Sequence, residues 1–365
     1  VLLFQTHSPT STAALDTAMA GAKGLAQLAC REVAAGTALP RSGAAAARLP
    51  SGDVLMFGGY TEEAAAAGGA PRRAATDEAW LFSAAAEAWR RLAPAPGAAA
   101  PRARLVAPLA VAAGAAFVLG GWDPGSAGDG GEILGDIWRL DLGDADLPSA
   151  RWERLAPAGA PFPPASRHAA AAVGDLVFIH THRCGDHVLV LDASADPPAL
   201  RAEEVLPDAA AGAPPARGLH SLVALGSTLW LFGGAAQSGA MMGDLWALDT
   251  AAAPLRWRRV GAAAGGAPAP SARCSAAAAP LGAGAFLLLG GAAPAPGGGL
   301  RGLGDAWVFE ASNEKWQAVA LAGAAPRGRN AAAAAPLGPE GSGKVLLHGG
   351  WLAFQETYGD SFVLG

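Results

Sequence analysis

Five glycine pairs recur in phase along this chain: Gly58-Gly59, Gly120-Gly121, Gly233-Gly234, Gly290-Gly291 and Gly349-Gly350. Each ends a short apolar run, such as Val54-Leu55-Met56-Phe57 or Leu229-Trp230-Leu231-Phe232. A repeat of this period marks a unit that cannot bury its apolar face alone and stacks against copies of itself. Pro101 to Leu155 shows one whole unit. A Pro-Arg turn (Pro101, Arg102) leads to an apolar run through Leu105, Val106 and Leu109. A second run, Ala116-Phe117-Val118-Leu119, stops at its Gly pair, and a Gly/Asp-rich loop leads to Asp136-Ile137-Trp138-Arg139-Leu140-Asp141. Trp152-Glu153-Arg154-Leu155 closes the unit. Four short apolar segments separated by turn chemistry predict one four-stranded antiparallel sheet.

Six copies fall at about residues 40–96, 101–158, 163–206, 213–262, 268–321 and 326–365. The third is degenerate. His180-Thr181 stand where its Gly pair is expected, its loop is very short, and no Trp appears in its last segment. The sixth ends after Ser361-Phe362-Val363-Leu364, without a fourth strand. Cys30-Arg31-Glu32-Val33 resembles Trp257-Arg258-Arg259-Val260, so residues 27–34 are expected to supply that strand. A sheet repeat closed into a ring in this way leaves no unpaired edge. The expectation is an all-β ring over residues 27–365, with six blades favoured and residues 1–26 an N-terminal segment or partial blade. Seven is the alternative, because Val1-Leu2-Leu3-Phe4 and Ala14-Leu15-Asp16-Thr17 read as strands of a further partial blade.

Four Trp residues sit in third strands (Trp80, Trp138, Trp246, Trp307) and four open fourth strands (Trp89, Trp152, Trp257, Trp316). With the Gly pairs, they make residues 28–365 resemble kelch repeats. That resemblance implies a kelch-type β-propeller of four-stranded antiparallel blades. A Gly pair permits backbone angles closed to other residues where strands crowd near an axis. The indoles read as packing between blades rather than as a cofactor site.

Composition adds limits. A formal net charge of −5 gives no electrostatic case for nucleic acid or an acidic membrane surface. Cys30, Cys184 and Cys274 form no disulfide framework, which points to a reducing, cytoplasmic setting. Leu105 to Leu119, the most apolar stretch, is interrupted by Pro108 and reads as two strands rather than a membrane span. The chain begins at Val1 rather than Met, which reads as an excerpt or a processed product. The many alanines read as filler in loops and turns.

Each copy opens with an arginine near a proline: Arg41, Arg102, Arg167, Arg217, Arg273 and Arg327. The resemblance places these at the mouth of the central channel, on the face bearing the second-to-third-strand loops. A guanidinium ring there suits carboxylates or phosphates, and the competing reading is pairing within each blade. The residues following the Gly pairs are expected to face the same mouth. They include Tyr60, Trp122 and Trp351, with His182 at the corresponding place in the third copy. Trp351, Tyr60 and Trp122 then fall on consecutive blades, and aromatics beside arginines have the composition of a binding hot spot.

His180, His182, Cys184 and His187 suggest a zinc set by residue type, but their spacing is irregular, and neither a metal nor another cofactor is expected. The tyrosine–cysteine pairing of kelch-type copper oxidases has no counterpart around Tyr60 or Tyr358. Glu356 and Asp360 match the spacing of the iron-binding residues in plant specifier proteins, but Leu364 replaces the histidine. The resulting expectation is a non-catalytic protein-interaction module, an adaptor or scaffold subunit of a larger assembly. Its expected partner is another protein, through an acidic or phosphorylated segment or an adjoining subunit, and neither nucleic acid nor membrane. The alternative is a small-ligand or catalytic propeller with its site in the channel mouth.

Overall fold

A computed structural model describes residues 26–34, 40–63, 72–126, 130–142, 149–182, 184–261, 268–353 and 355–365. Its strands pair into six four-stranded antiparallel blades. Blade 1 comprises Ala45–Arg48, Val54–Phe57, Ala79–Ser83 and Ala88–Leu92. Blade 2 comprises Leu109–Ala112, Ala115–Asp123, Glu132–Asp141 and Trp152–Leu155, and blade 3 Ala169–Val173, Leu176–His180, His187–Asp192 and Ala199–Leu206. Blade 4 is formed by Ser221–Leu225, Thr228–Phe232, Leu245–Asp249 and Leu255–Val260. Blade 5 follows with Ala277–Pro280, Ala285–Leu289, Ala306–Glu310 and Lys315–Gly323. Blade 6 takes Ala333–Leu337, Lys344–His348 and Ser361–Leu364 from the end of the chain and Ala26–Val33 from its start.

The N-terminal strand joins two blades. Cys30–Val33 run antiparallel to Ser361–Leu364, while Ala26–Cys30 run parallel to Val319–Gly323 of blade 5. Cys30 sits where the two pairings meet, buried, with its Sγ donating to the Ala324 carbonyl at 3.1 Å. Burial raises its thiol to about 11, so it is a packing residue rather than a nucleophile. The expected partial blade in residues 1–26 lies outside the described residues but for Ala26.

Position in the blade explains the composition of each strand. The second strand lies between two other strands and is covered on both faces, so Val54-Leu55-Met56-Phe57 are all buried. The outer strand alternates, with Trp89 buried and Arg90 and Arg91 exposed. Innermost strands approach one another around the axis and are rich in small side chains, as in Ala45-Ala46-Ala47, Ala169–Ala172 and Ala277–Ala279, with larger ones such as Leu109, Val223 and Leu337 buried in the wedges between blades. The alanine excess is therefore not loop filler alone; much of it lines the axis. Apolar clusters fill the wedges between neighbouring blades, for example Phe57 with Trp152 between blades 1 and 2, and Leu119 with Leu200 between blades 2 and 3.

Six backbone hydrogen bonds run around the channel, each from a residue two or three before an inner strand. Gly43 donates to Ala331, Val106 to Gly43, Arg167 to Val106, Leu219 to Arg167, Ser275 to Leu219 and Ala331 to Ser275, over 2.7–3.3 Å. All six residues have φ between 51° and 64°. Five of them are not glycine and hold a left-handed conformation that costs roughly 1–2 kcal/mol each. The closed circuit of bonds holds them there, since each residue's N–H and C=O are both used within it.

Candidate functional site

Five blades share one polar motif. Arg41, Arg104, Arg217, Arg273 and Arg329 are each 0–1 % exposed. Each guanidinium donates to the carbonyl of the first glycine of its own blade's pair: Gly58, Gly120, Gly233, Gly290 and Gly349. Each also donates to an acid two residues before an aromatic of the third strand. Arg104 holds Asp136 at 2.6 and 3.0 Å, Arg217 holds Asp244 at 2.6 and 2.8 Å, and Arg273 holds Asp305 at 2.7 Å through both oxygens. Arg329 holds Asp360 and Arg41 holds Glu78. The third-strand indoles complete the motif, with Trp80, Trp138, Trp246 and Trp307 each donating Nε1 to that acid. Burial pushes the Asp136, Asp244, Asp305 and Glu78 carboxyls upward, but the arginine and indole donors outweigh it and leave them below the usual carboxylate range.

This geometry corrects the expected guanidinium rim. Arg41, Arg217 and Arg273 are turned inward and consumed by pairing within their blades. In blades 2 and 6 the buried position belongs to Arg104 and Arg329, not to Arg102 and Arg327. Arg102 is exposed and pairs with Glu132 at 2.6 Å; Arg327 is exposed, pairs with Glu356 and lies over the Tyr358 ring. The distance to the Gly pair would have separated the two arginines in blade 2: 16 or 17 residues divide the buried arginine from its glycine in blades 1, 2, 4 and 5.

The Gly pair itself joins blades. A Cβ on Gly58 would lie 2.6 Å from the Arg104 carbonyl oxygen, and that same oxygen accepts the Gly59 N–H at 2.8 Å. Gly234, Gly291 and Gly350 repeat this bond with Arg273, Arg329 and Arg41 of the following blade. The outer-strand Trp then stacks on the residue before the neighbour's pair: Trp152 on Phe57, Trp257 on His180, Trp316 on Phe232 and Trp89 on His348, at 5.0–5.6 Å.

Blade 3 lacks the arginine, the acid, both Trp residues and the Gly pair, though its Ala165 carbonyl still accepts the Gly121 N–H at 2.8 Å and its His180 still meets Trp257. Ala169 pairs with His180 as Ala45 pairs with Phe57 and Ser221 with Phe232. His180 therefore precedes the Gly-pair position, which Thr181-His182 occupy, and His182 stands one residue earlier than the sequence spacing suggests. Ile179 pairs with Leu189 as Met56 pairs with Trp80, so Leu189 replaces the third-strand Trp and His187 replaces the acid. Leu200 takes the outer Trp position opposite Leu191, and Ala165 the buried arginine position. Arg167 belongs to the left-handed circuit around the channel, two residues beyond the buried arginine position. Its side chain is exposed, and among the described residues no carboxylate pairs with it.

A groove of about 420 Å³ lies over this blade. Its connection from the second to the third strand, residues 181–186, is short. In blade 2 the strands run on past the Gly pair, and Trp122 pairs across the hairpin with Ile133. Trp122 and Ile133 wall one side of the groove, Ala235 and Gln237 of blade 4 the other, and Arg167 and His182 lie between them. Ile133 is 48 % exposed, an unusual setting for a large apolar side chain here. Of the residues expected at a partner site, Trp122, Arg167, His182 and Arg217 thus come together, Arg217 with its guanidinium already bound to Asp244. Tyr60 and Trp351 occupy the positions equivalent to Trp122 in blades 1 and 6, paired with Ser42 and Asn330, but they line neither this groove nor the channel of about 160 Å³ beside it. Among the described residues no three His, Cys, Asp or Glu side chains converge to hold a metal ion. His180 meets His220, Cys184 meets Thr181, and His187 meets Asp186.

A four-stranded repeat with a Gly pair, an outer Trp and a closing strand from the other terminus is the architecture of a kelch-type β-propeller, and this chain has that fold. Residues 200–364 match the KLHDC2/KLHL20/DRC7 Kelch-repeats domain. The solved structure of YjhT superposes with a TM-score of 0.59 over 89 % of this chain and 95 % of its own, at 16 % identity, which speaks for the fold alone. Among Arabidopsis thaliana proteins, the chain is 32 % identical over 142 residues to the serine/threonine-protein phosphatase BSL2. It is 33 % identical over 127 residues to the tRNA wybutosine-synthesizing protein 2/3/4. These matches span 14 % and 11 % of the lengths of those proteins. Among the described residues no helix is long and apolar enough to cross a membrane.

Proposed function

We propose that this propeller is a non-catalytic protein-interaction module, an adaptor or scaffold subunit, which takes a partner segment on its loop face in the groove over blade 3. The observation that carries the reading is Arg167: an exposed guanidinium beside Trp122 and Ile133, which among the described residues pairs with no carboxylate and shares its groove with none. Apolar anchors around a single unpaired cation suit an extended segment that presents an acidic or phosphorylated residue next to an apolar one. The five remaining arginine positions support the same reading by contrast, because their charges are spent inside the blades. That the matched portions are small parts of two much longer proteins with enzymatic names fits a recognition module carried beside other machinery.

Selection from a displayed peptide library tests this. Acidic or phosphorylated sequences with an apolar neighbour are expected to be enriched on the wild-type protein and lost on a folded Trp122→Ala, Arg167→Glu variant. Enrichment that is indifferent to charge and unchanged by the variant would remove the groove from consideration.

A further inference from the structure

Blade 3 is flanked on both sides by buried histidines. His168, His180 and His220 are each at least 93 % buried. His168 lies against Phe162 and the Leu119 backbone of the preceding blade. His180 and His220 meet across the interface with blade 4, Nδ1 to Nε2 at 3.1 Å, with Trp257 beside them. Both ring nitrogens of His168, Nε2 of His180 and Nδ1 of His220 are buried and make no well-formed hydrogen bond among the described residues. The Leu119 backbone beside His168 and the Cys184 backbone beside His180 favour a proton there, but burial outweighs them. None of the charged or titratable groups acting on them is an acid. His168 faces His182; His180 faces Arg217 and His187; His220 faces Arg217, His180 and His168. The acids that pair with these neighbours are committed to them, Asp244 to Arg217 and the exposed Asp186 to His187. His348 offers the contrast. It occupies the His180 position in blade 6, but its Nδ1 meets the Ser361 hydroxyl at 2.9 Å.

We propose that blade 3 is an acid-sensitive element of the ring, held closed while its three flanking histidines are neutral and released when they take up protons. A proton on any of them would lie buried beside Arg217 or another imidazole with no counter-charge, so the charged form exists only once the interface opens. Burial, the largest cause, holds His168 and His180 at about 3 and His220 well below its ordinary value. The opening equilibrium therefore shifts towards the open form by about thirtyfold per histidine between pH 7.5 and pH 5, if the opened state titrates with an ordinary imidazole pKa. Blade 3 is also the blade without the Arg–acid–Trp motif, the Gly pair and the outer Trp, so it has least to hold it against that pull. This inference is independent of the partner reading above.

The repeat itself supplies the test variants. The position of His168 and His220 is filled by Ala44, Ala107, Ala276 and Ala332 in other blades, and that of His180 by Phe57 and Phe232. Amide hydrogen exchange, corrected for its intrinsic pH dependence, is compared at pH 7.5 and pH 5 for the wild type and for His168→Ala, His180→Phe, His220→Ala. Protection in Ala169–Val173, Leu176–His180 and His187–Asp192 is expected to fall by at least thirtyfold in the wild type, ahead of the other blades, and to hold in the variant. His180→Phe alone retains the ring that stacks on Trp257 and is expected to recover part of the protection. A uniform loss across all six blades in the wild type, or a variant that opens at pH 5 as the wild type does, overturns the proposal.

Discussion

Blades 3 and 4 are neighbours built from the same repeat, and they handle polar groups near the axis in opposite ways. Blade 4 buries Arg217 and satisfies it with Asp244, the Gly233 carbonyl and, through the acid, Trp246. Blade 3 has Ala165, His187 and Leu189 in those places. The regular blade gains rigidity, and its charges become unavailable to any partner. The degenerate blade gives up that motif, shortens its loop and leaves Arg167 outward under a groove. The difference teaches that in this ring the departures from the repeat, not the repeat, are where recognition can reside.

Removing the regular motif is the strongest way to break the comparison. Arg217→Ala leaves the Asp244 carboxylate half-buried with one indole donor, and a loss of about 3–5 kcal/mol is expected in chemical unfolding. Arg102→Ala, by contrast, removes an exposed pair two residues from the buried Arg104 and is expected to cost about 0.5 kcal/mol or less. Arg104→Ala in the same blade is expected to behave as Arg217→Ala does. Equal losses for Arg102 and Arg104 would mean that burial does not separate them.

Acid sharpens the same contrast. The folded pKa values of His168 and His180, about 3, lie below the ordinary 6.5, so the unfolded chain binds more protons between those limits. Their stabilisation is complete above about pH 6.5 and is lost as pH falls towards 3, by about 1.4 kcal/mol per pH unit for each group. For His168→Ala the slope of unfolding free energy against pH between 6 and 4 is expected to fall by about that amount. The carboxyls of Asp136, Asp244 and Glu78 act in a lower window. Their folded values are depressed, so their contribution is present above the ordinary carboxylate range and is lost only as pH falls below it. Blade 3 is therefore expected to loosen before the regular blades do.

A smaller effect concerns the groove wall. Trp122→Ala and Ile133→Ala change side chains that are partly or substantially exposed, and each is expected to alter stability by less than about 1 kcal/mol while weakening partner binding. A large stability loss at either would reclassify it as core.

The ring was legible because the Gly pairs and outer Trp residues are spaced by backbone geometry, which local sequence records directly. The closing strand at Cys30–Val33 was legible for the same reason, by its likeness to Trp257–Val260. The arginines were half legible. Residue type marked the motif, but in Arg102-Ala103-Arg104 and Arg327-Gly328-Arg329 only the fold reveals which side chain turns inward. The offset of His182 was hidden because the third copy has no Gly pair to fix its register, and strand pairing supplied what spacing did not. His168 and His220 carried a signal that went unused: each interrupts a position that is otherwise alanine. Trp122, Arg167 and His182 were individually in view, yet their meeting depends on a short loop in one blade beside a long hairpin in another. Tyr60 and Trp351 share the sequence position of Trp122 without sharing that neighbourhood.

The most direct measurement compares two exposed arginines. A peptide selected on the wild-type protein is titrated against Arg167→Ala and Arg327→Ala. Among the described residues Arg167 has no acidic partner, and it stands in the groove, whereas Arg327 is already paired with Glu356 in blade 6. The account predicts at least a tenfold loss of affinity, about 1.4 kcal/mol, for Arg167→Ala and little change for Arg327→Ala. Undiminished binding by Arg167→Ala, or a greater loss with Arg327→Ala, would contradict the assignment of the working surface to blade 3.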